Sequence, residues 1–207
     1  MDDFQAAEVT NEAGKTIPYR YYDPIRSAGK DANGKYPVVI FLHGAGESGD
    51  NNISHIIANK GAVVWADRVD MNPCYVLAPQ CPSMAEGWVQ EDNEALVMQM
   101  LDEFIAAHAD TIDTDRIYIQ GLSMGGYGTW KIILDHPEVF AAAMPMCGGV
   151  DDSYYANNNA AFEKIKNMAI WTFHNADDST VPVENTRKVV EALRAVGSPC
   201  IKYEEYS

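Results

Sequence analysis

Five short apolar runs recur along the chain, none alternating with polar residues and each closed by Pro, Gly or Asn. The first, Pro37–Leu42, reads Val-Val-Ile-Phe-Leu after its proline. A run of that length and β-branching suits a strand covered on both faces. Cys74–Ala78, Arg116–Ile119, Phe140–Met146 and Ala169–Phe173 repeat it. Ile17–Tyr22 and Cys200–Tyr206 read as further strands, and Ser27–Lys35, with its Gly and Asn, as a turn. Helical periodicity fills the gaps. Over Glu94–His108, residues Val97, Leu101, Phe104, Ile105 and His108 align on one apolar stripe. Glu184–Val196 aligns Val189, Val190, Leu193 and Val196, then stops at Gly197 and Pro199. Strands alternating with helices predict an α/β fold, a mostly parallel central sheet with helices on both faces. One domain spanning 1–207 is expected from the length. Such sheets bind ligands outside the carboxyl ends of their strands.

Two of those strand exits carry a recognisable pattern. Gly121-Leu122-Ser123-Met124-Gly125 matches G-x-S-x-G. It directly follows the strand Arg116–Ile119 and opens a helix over about Met124–Asp135, the strand–turn–helix setting of a nucleophile elbow. Side chains at Gly121 or Gly125 would collide with the strand and helix that hold Ser123 in a strained turn. Free N–H groups at the helix start favour an oxyanion there. The exit of Pro37–Leu42 is His43-Gly44-Ala45-Gly46-Glu47-Ser48-Gly49. An oxyanion hole needs two convergent donors. The N–H of Met124 is expected to be one and that of Ala45 the other, with Gly46 second in line and at the wall of the substrate pocket. His43 precedes the donors and is expected to buttress the loop.

A serine hydroxyl needs a histidine base and a carboxylate that orients it. The exit of Ala169–Phe173 offers Asp177 and Asp178, both at the carboxyl end of a strand. The five histidines are His43, His55, His108, His136 and His174, and none follows Asp178. His55 reads as part of a polar connection, His108 as the end of the apolar stripe, and His136 as a helix C-cap. His174 as base would reverse the usual order of nucleophile, acid and histidine. The base is therefore expected beyond residue 207, with the C-terminal His loop and helix missing from the chain.

These segments, with Tyr75-Val76-Leu77-Ala78-Pro79-Gln80-Cys81-Pro82, Asp115-Arg116-Ile117-Tyr118 and Pro145-Met146-Cys147-Gly148-Gly149, carry a resemblance. From about Tyr36 to Tyr206 the chain resembles bacterial carboxylesterases known as predicted peptidases or phospholipase/carboxylesterases, related to feruloyl esterases and polyhydroxybutyrate depolymerases. The resemblance implies the α/β-hydrolase fold, no cofactor, and ester hydrolysis through an acyl-enzyme. It selects Asp178, because the family's loop reads Asp-x-x-Val-Pro and the chain has Asp178-Ser179-Thr180-Val181-Pro182. It implies that Trp88 lines the substrate pocket. It suggests short acyl or hydroxycinnamoyl esters, small or attached to polysaccharide. A serine peptidase and a catalytically silent binding protein are the rival readings.

Charge narrows the partners. Acids outnumber Lys and Arg 30 to 15, a formal charge of −15, which disfavours nucleic acid and anionic membranes. No apolar run approaches the roughly 20 residues that cross a bilayer. Cys74, Cys81, Cys147 and Cys200 lack zinc spacing and read as buried free thiols, a Cys74–Cys81 bridge requiring an oxidising compartment. Asp113, Asp115, Asp151 and Asp152 lack matching histidines, so no metal site is expected. Compartment and oligomeric state stay open.

Overall fold

The computed structural model describes residues 3–25 and 34–207, so most of the turn expected over Ser27–Lys35 lies outside the described residues. In chain order the strands are β1 (Phe4–Thr10), β2 (Thr16–Tyr22), β3 (Tyr36–Leu42), β4 (Tyr75–Pro79), β5 (Ile112–Leu122), β6 (Ala142–Met146), β7 (Ala169–Asn175) and β8 (Ile201–Tyr206). The helices are α1 (Ser54–Ile57), α2 (Val63–Ala66), α3 (Glu91–Ala107), α4 (Met124–Asp135), α5 (Ala156–Glu163) and α6 (Glu184–Ala195). The strands form one sheet in the order β1-β2-β4-β3-β5-β6-β7-β8. Only β1–β2 and β2–β4 pair antiparallel. All other pairs are parallel. From β3 the chain steps to β4 on one side and to β5 on the other, the reversal at which open α/β sheets form a crevice.

The unalternating runs are explained by what covers them. In β3, Val38, Ile40 and Leu42 enter the larger core with Leu96 and Met100 of α3, Trp130 of α4 and Leu193 of α6. Val39 and Phe41 turn to the opposite face and meet Ile56 and Ala62 beside α1 and α2. That second face is covered over β3 and β4. Towards β8 it carries a broad depression of about 760 Å³ lined by Tyr118, Met144, Trp171 and Lys202. The expected two-sided helical cover is thus uneven.

Helix α3 starts three residues before its apolar stripe suggests. The Gln90 side chain accepts the N–H groups of Asp92 and Asn93, and Glu91, Asp92 and Glu94 fill the first turn, where carboxylates complement the helix dipole. Strand β1 was not expected. In Phe-Gln-Ala-Ala-Glu-Val-Thr only Phe4 and Val9 are buried, too sparse a pattern to stand out. Its antiparallel pairing with β2 makes it a strand.

Candidate active site

The elbow forms at Ser123. Its backbone sits at φ 57° and ψ −116°, a region costing a non-glycine residue about 1–3 kcal/mol. Two bonds hold it there: the Ser123 N–H donates to the Met146 carbonyl at 2.9 Å, and the Ser123 carbonyl accepts the Tyr127 N–H at 3.0 Å. The residue is partly exposed at the carboxyl end of β5. Gly121 and Gly125 make the turn sterically feasible. A Cβ at either would meet backbone atoms of Gly125 or Leu42 well inside 3.0 Å.

The loop after β3 lies against this turn. A Cβ placed on Gly44 would stand 3.8 Å from the Ser123 Cβ, so the loop borders Ser123. Ala45–Glu47 form one 3-10 turn. The N–H groups of Ala45 and Met124 make no hydrogen bond among the described residues, as expected of donors at the start of a helical turn. Gly46 is exposed at the crest. His43 holds the loop from behind. Its Nδ1–H donates to the Gly44 carbonyl at 2.6 Å and its Nε2 accepts the Cys81 N–H at 2.9 Å. That pair of bonds fixes the neutral tautomer, and burial lowers its pKa to about 4.

Two expectations need correction. Trp88 does not line the cleft: it is fully buried, its Nε1–H donates to the His43 carbonyl at 3.0 Å, and its ring crosses the His43 ring at 5.1 Å. It supports the loop from inside the core. His55 is not in a polar connection. It is fully buried on α1, with Nε2–H donating to the Ala78 carbonyl at 2.9 Å. Burial, then the nearby His43, lowers its pKa to about 4.

These two histidines make a pH prediction. Both bind a proton less readily folded than unfolded, so stability falls as pH drops from about 6.5 towards 4, by up to about 1.4 kcal/mol per pH unit for each. Urea midpoints between pH 7 and 4.5 should fall accordingly. His55→Asn should flatten that slope; an unchanged slope would show that His55 is not the proton-excluding group.

The loop carrying Asp177 and Asp178 emerges at the same end of the sheet. Leu122 pairs with Met146, and Met146 with Phe173, so the exits of β5, β6 and β7 are level. Two strand spacings, roughly 10 Å, separate Ser123 from the β7 exit. Asp178 Oδ1 accepts the N–H groups of Thr180 and Val181 at 2.8 and 2.9 Å. Those bonds, and then the nearby His174, hold its carboxyl below the usual range. Oδ2 lies 3.5 Å from His174 Nε2. Asp177 is exposed, with its N–H on the Asn175 side chain.

Cys147 and Tyr127 join the site without having been singled out. Cys147 follows β6 between the two exits. Burial raises its thiol pKa, the Ser123 N–H lowers it and the Asp178 charge raises it. Burial raises the Tyr127 phenol pKa, the bond its oxygen accepts from Asn185 Nδ2 at 2.7 Å lowers it, and the Cys147 and Asp178 charges add to the rise. Their only signal in the sequence was position, Cys147 at a strand exit and Tyr127 one helical turn past Ser123. Cys74 and Cys81 are buried free thiols, but Cys147 is half-buried and Cys200 exposed, which corrects the uniform expectation.

Each of the five histidines has other partners. His43 and His55 are committed to the loop and to β4. His108 stacks on Phe104 at 4.1 Å. His136 caps α4, with Nε2 3.2 Å from Glu94 Oε1. His174 is 2% exposed, with Nε2–H on the Val181 carbonyl and Nδ1 on the Thr186 hydroxyl. Among the described residues no acidic, histidine or cysteine cluster could hold a metal ion, and no helix is long and apolar enough to cross a membrane.

A mostly parallel sheet of this order, with a serine on a strained turn at a strand's carboxyl end, is the α/β-hydrolase fold, and the chain adopts it. Within that class it is related to esterase-type members. A model of the prolyl oligopeptidase family matches residues 96–172, the stretch from α3 through the elbow to β7. A structure described as a thermostable esterase superposes with a TM-score of 0.83 at 43% identity, covering 99% of this chain and 55% of its own. A ferulic acid esterase structure shares the fold, with a TM-score of 0.72 over 99% of this chain and 89% of its own at 17% identity. Poly(3-hydroxyalkanoate) depolymerase C of Paucimonas lemoignei is 31% identical over 125 residues, which are 55% of this chain and 28% of that protein. The chain thus spans about half of the thermostable esterase and under a third of the depolymerase.

Proposed function

We propose that the chain carries the nucleophile, the oxyanion donors and the acid of a serine carboxylic-ester hydrolase. One observation carries this reading: the strained Ser123 turn and the Asp178 loop leave strands of one sheet at the same level, two spacings apart. Ser123 Oγ attacks the ester carbonyl while a histidine takes its proton. Met124 and Ala45 N–H groups receive the developing oxyanion, worth about 3–4 kcal/mol per donor. Collapse expels the alcohol, which takes up that proton, and water then hydrolyses the acyl-enzyme by the same steps. Asp178 Oδ2 holds the histidine's tautomer. Since each of the five histidines is otherwise committed, the base is assigned to one from outside residues 1–207. Short acyl and hydroxycinnamoyl esters, free or polysaccharide-linked, are the proposed substrates, in line with the esterase and depolymerase relatives.

Residues 1–207 should hydrolyse p-nitrophenyl acetate roughly 10⁶-fold more slowly than a chain containing the base. Added imidazole should restore part of the rate, relative to a Ser123→Ala control that subtracts its own hydrolysis of the ester. No imidazole-dependent difference between the two would favour a silent binding fold. Faster turnover of acyl p-nitroanilides than of esters would favour a peptidase. In a chain with its base, Asp178→Asn should cost about 10⁴ in kcat, whereas Asp177→Asn should leave it near wild type. The reverse ranking would reassign the acid.

A further inference from the structure

The proposed chemistry does not use His174, yet this buried ring ties the acid loop to the nucleophile helix. The base of the loop is fixed by sheet contacts, the Cys147 N–H on the Phe173 carbonyl at 2.9 Å and the Ala176 N–H on the Tyr206 carbonyl at 2.6 Å. Its far limb, Asp178 to Val181, is held differently. Asp178 Oδ1 bonds only to N–H groups of the loop itself, which fixes the loop's shape but not its place. His174 supplies the cross-link. Its Nε2–H donates to the Val181 carbonyl at 2.9 Å, and Nδ1 lies 2.8 Å from Thr186 Oγ1 in the first turn of α6. The Thr186 hydroxyl lies 2.7 Å from the Gly148 carbonyl. Gly148 in turn backs onto α4 so closely that a Cβ there would stand 2.6 Å from the Gly126 carbonyl carbon. Val181, His174, Thr186, Gly148 and Gly126 therefore form one connected path from the acid loop to a residue three places beyond Ser123.

We propose that His174 is a positioning residue that sets the acid loop in register with the nucleophile helix, so that the spacing of Asp178 and Ser123 is fixed through this path. The ring has the right shape because its two nitrogens sit on opposite edges. Each of the two amide side chains reproduces one of them. Glutamine reaches as far as Nε2 and keeps the bond to Val181; asparagine reaches only as far as Nδ1 and keeps the bond to Thr186. The role rests on Asp178 being the acid, but the geometry can be tested without turnover.

The test is hydrogen exchange at the Val181 amide, which donates to Asp178 Oδ1 and sits beside the carbonyl that His174 holds. In His174→Asn its protection should fall at least tenfold while the amides of Ile119 and Ala143, on β5 and β6, keep theirs. In His174→Gln, which keeps the Val181 bond but loses the Thr186 one, it should fall likewise, since the path needs both bonds. Thr186→Val should reproduce the asparagine phenotype and Thr186→Ser should not, which keeps the test available if a His174 variant fails to fold. Unchanged protection in His174→Asn and Thr186→Val, or equal loss in all four variants, would overturn the proposal. The predicted exchange pattern with no ester hydrolysis, even in a chain that contains its base, would instead count against the esterase reading and leave the clamp standing.

Discussion

Ser123→Ala is expected to reduce ester hydrolysis by about 10⁶ in a chain that contains its base, with the remainder due to oxyanion donors and binding. Its counterpart is Ser123→Gly, which should lose the same activity yet gain about 1 kcal/mol of stability. The reason is local. At φ 57° and ψ −116° a side chain is strained, whereas glycine takes such a conformation without steric cost. Alanine keeps a Cβ and so should keep the strain. Thermal or urea unfolding of the three proteins separates them: wild type and Ser123→Ala together, Ser123→Gly above both. Equal stability for all three would mean that the turn stores no strain.

Gly125→Ala is expected to be the most damaging small substitution in the chain. The added methyl would enter the Leu42 carbonyl, with the His43 carbonyl 2.8 Å away on the same side. Backbone cannot swing aside as a side chain does, so β3, the oxyanion loop and α4 must separate. A cost of about 3 kcal/mol or more follows from overpacking of this kind, a large part of the roughly 5–15 kcal/mol that holds a domain folded. Gly46→Ala is the control. Apart from its chain neighbours, no atom lies within 4 Å of its added Cβ, so its stability should stay within about 0.5 kcal/mol of wild type. Paired unfolding curves decide the matter. A mild Gly125→Ala would mean that the loop and elbow are not in van der Waals contact.

The strands at the centre of the sheet were legible because burial on both faces leaves continuous apolar runs, as in Pro37–Leu42. The peripheral β1 was not, since its partner β2 rather than its own composition makes it a strand. The turn at Ser123 was legible because Gly121 and Gly125 mark its backbone locally, whereas the choice of Asp178 over Asp177 came from the resemblance to the Asp-x-x-Val-Pro loop. Trp88 was misread for a physical reason: an aromatic beside a glycine says nothing about which way it faces. Its bond and ring contact with His43, and the close approach of Gly128, where a Cβ would come within 3.0 Å of the Trp88 Cβ, show that the ring fills the space behind the loop after β3. Likewise His55 sits among polar residues in sequence, while the fold turns it inward to the Ala78 carbonyl. The roles of Cys147 and Tyr127 depend on strand register and helical phase together, which no single segment of the chain encodes.

Covalent trapping tests the nucleophile most directly. Residues 1–207 with added imidazole would be treated with a fluorophosphonate, digested, and mapped by mass spectrometry. A single adduct on the peptide containing Ser123, absent from Ser123→Ala, is the predicted result. An adduct on another serine such as Ser48, or none after prolonged exposure, would contradict the account at its base.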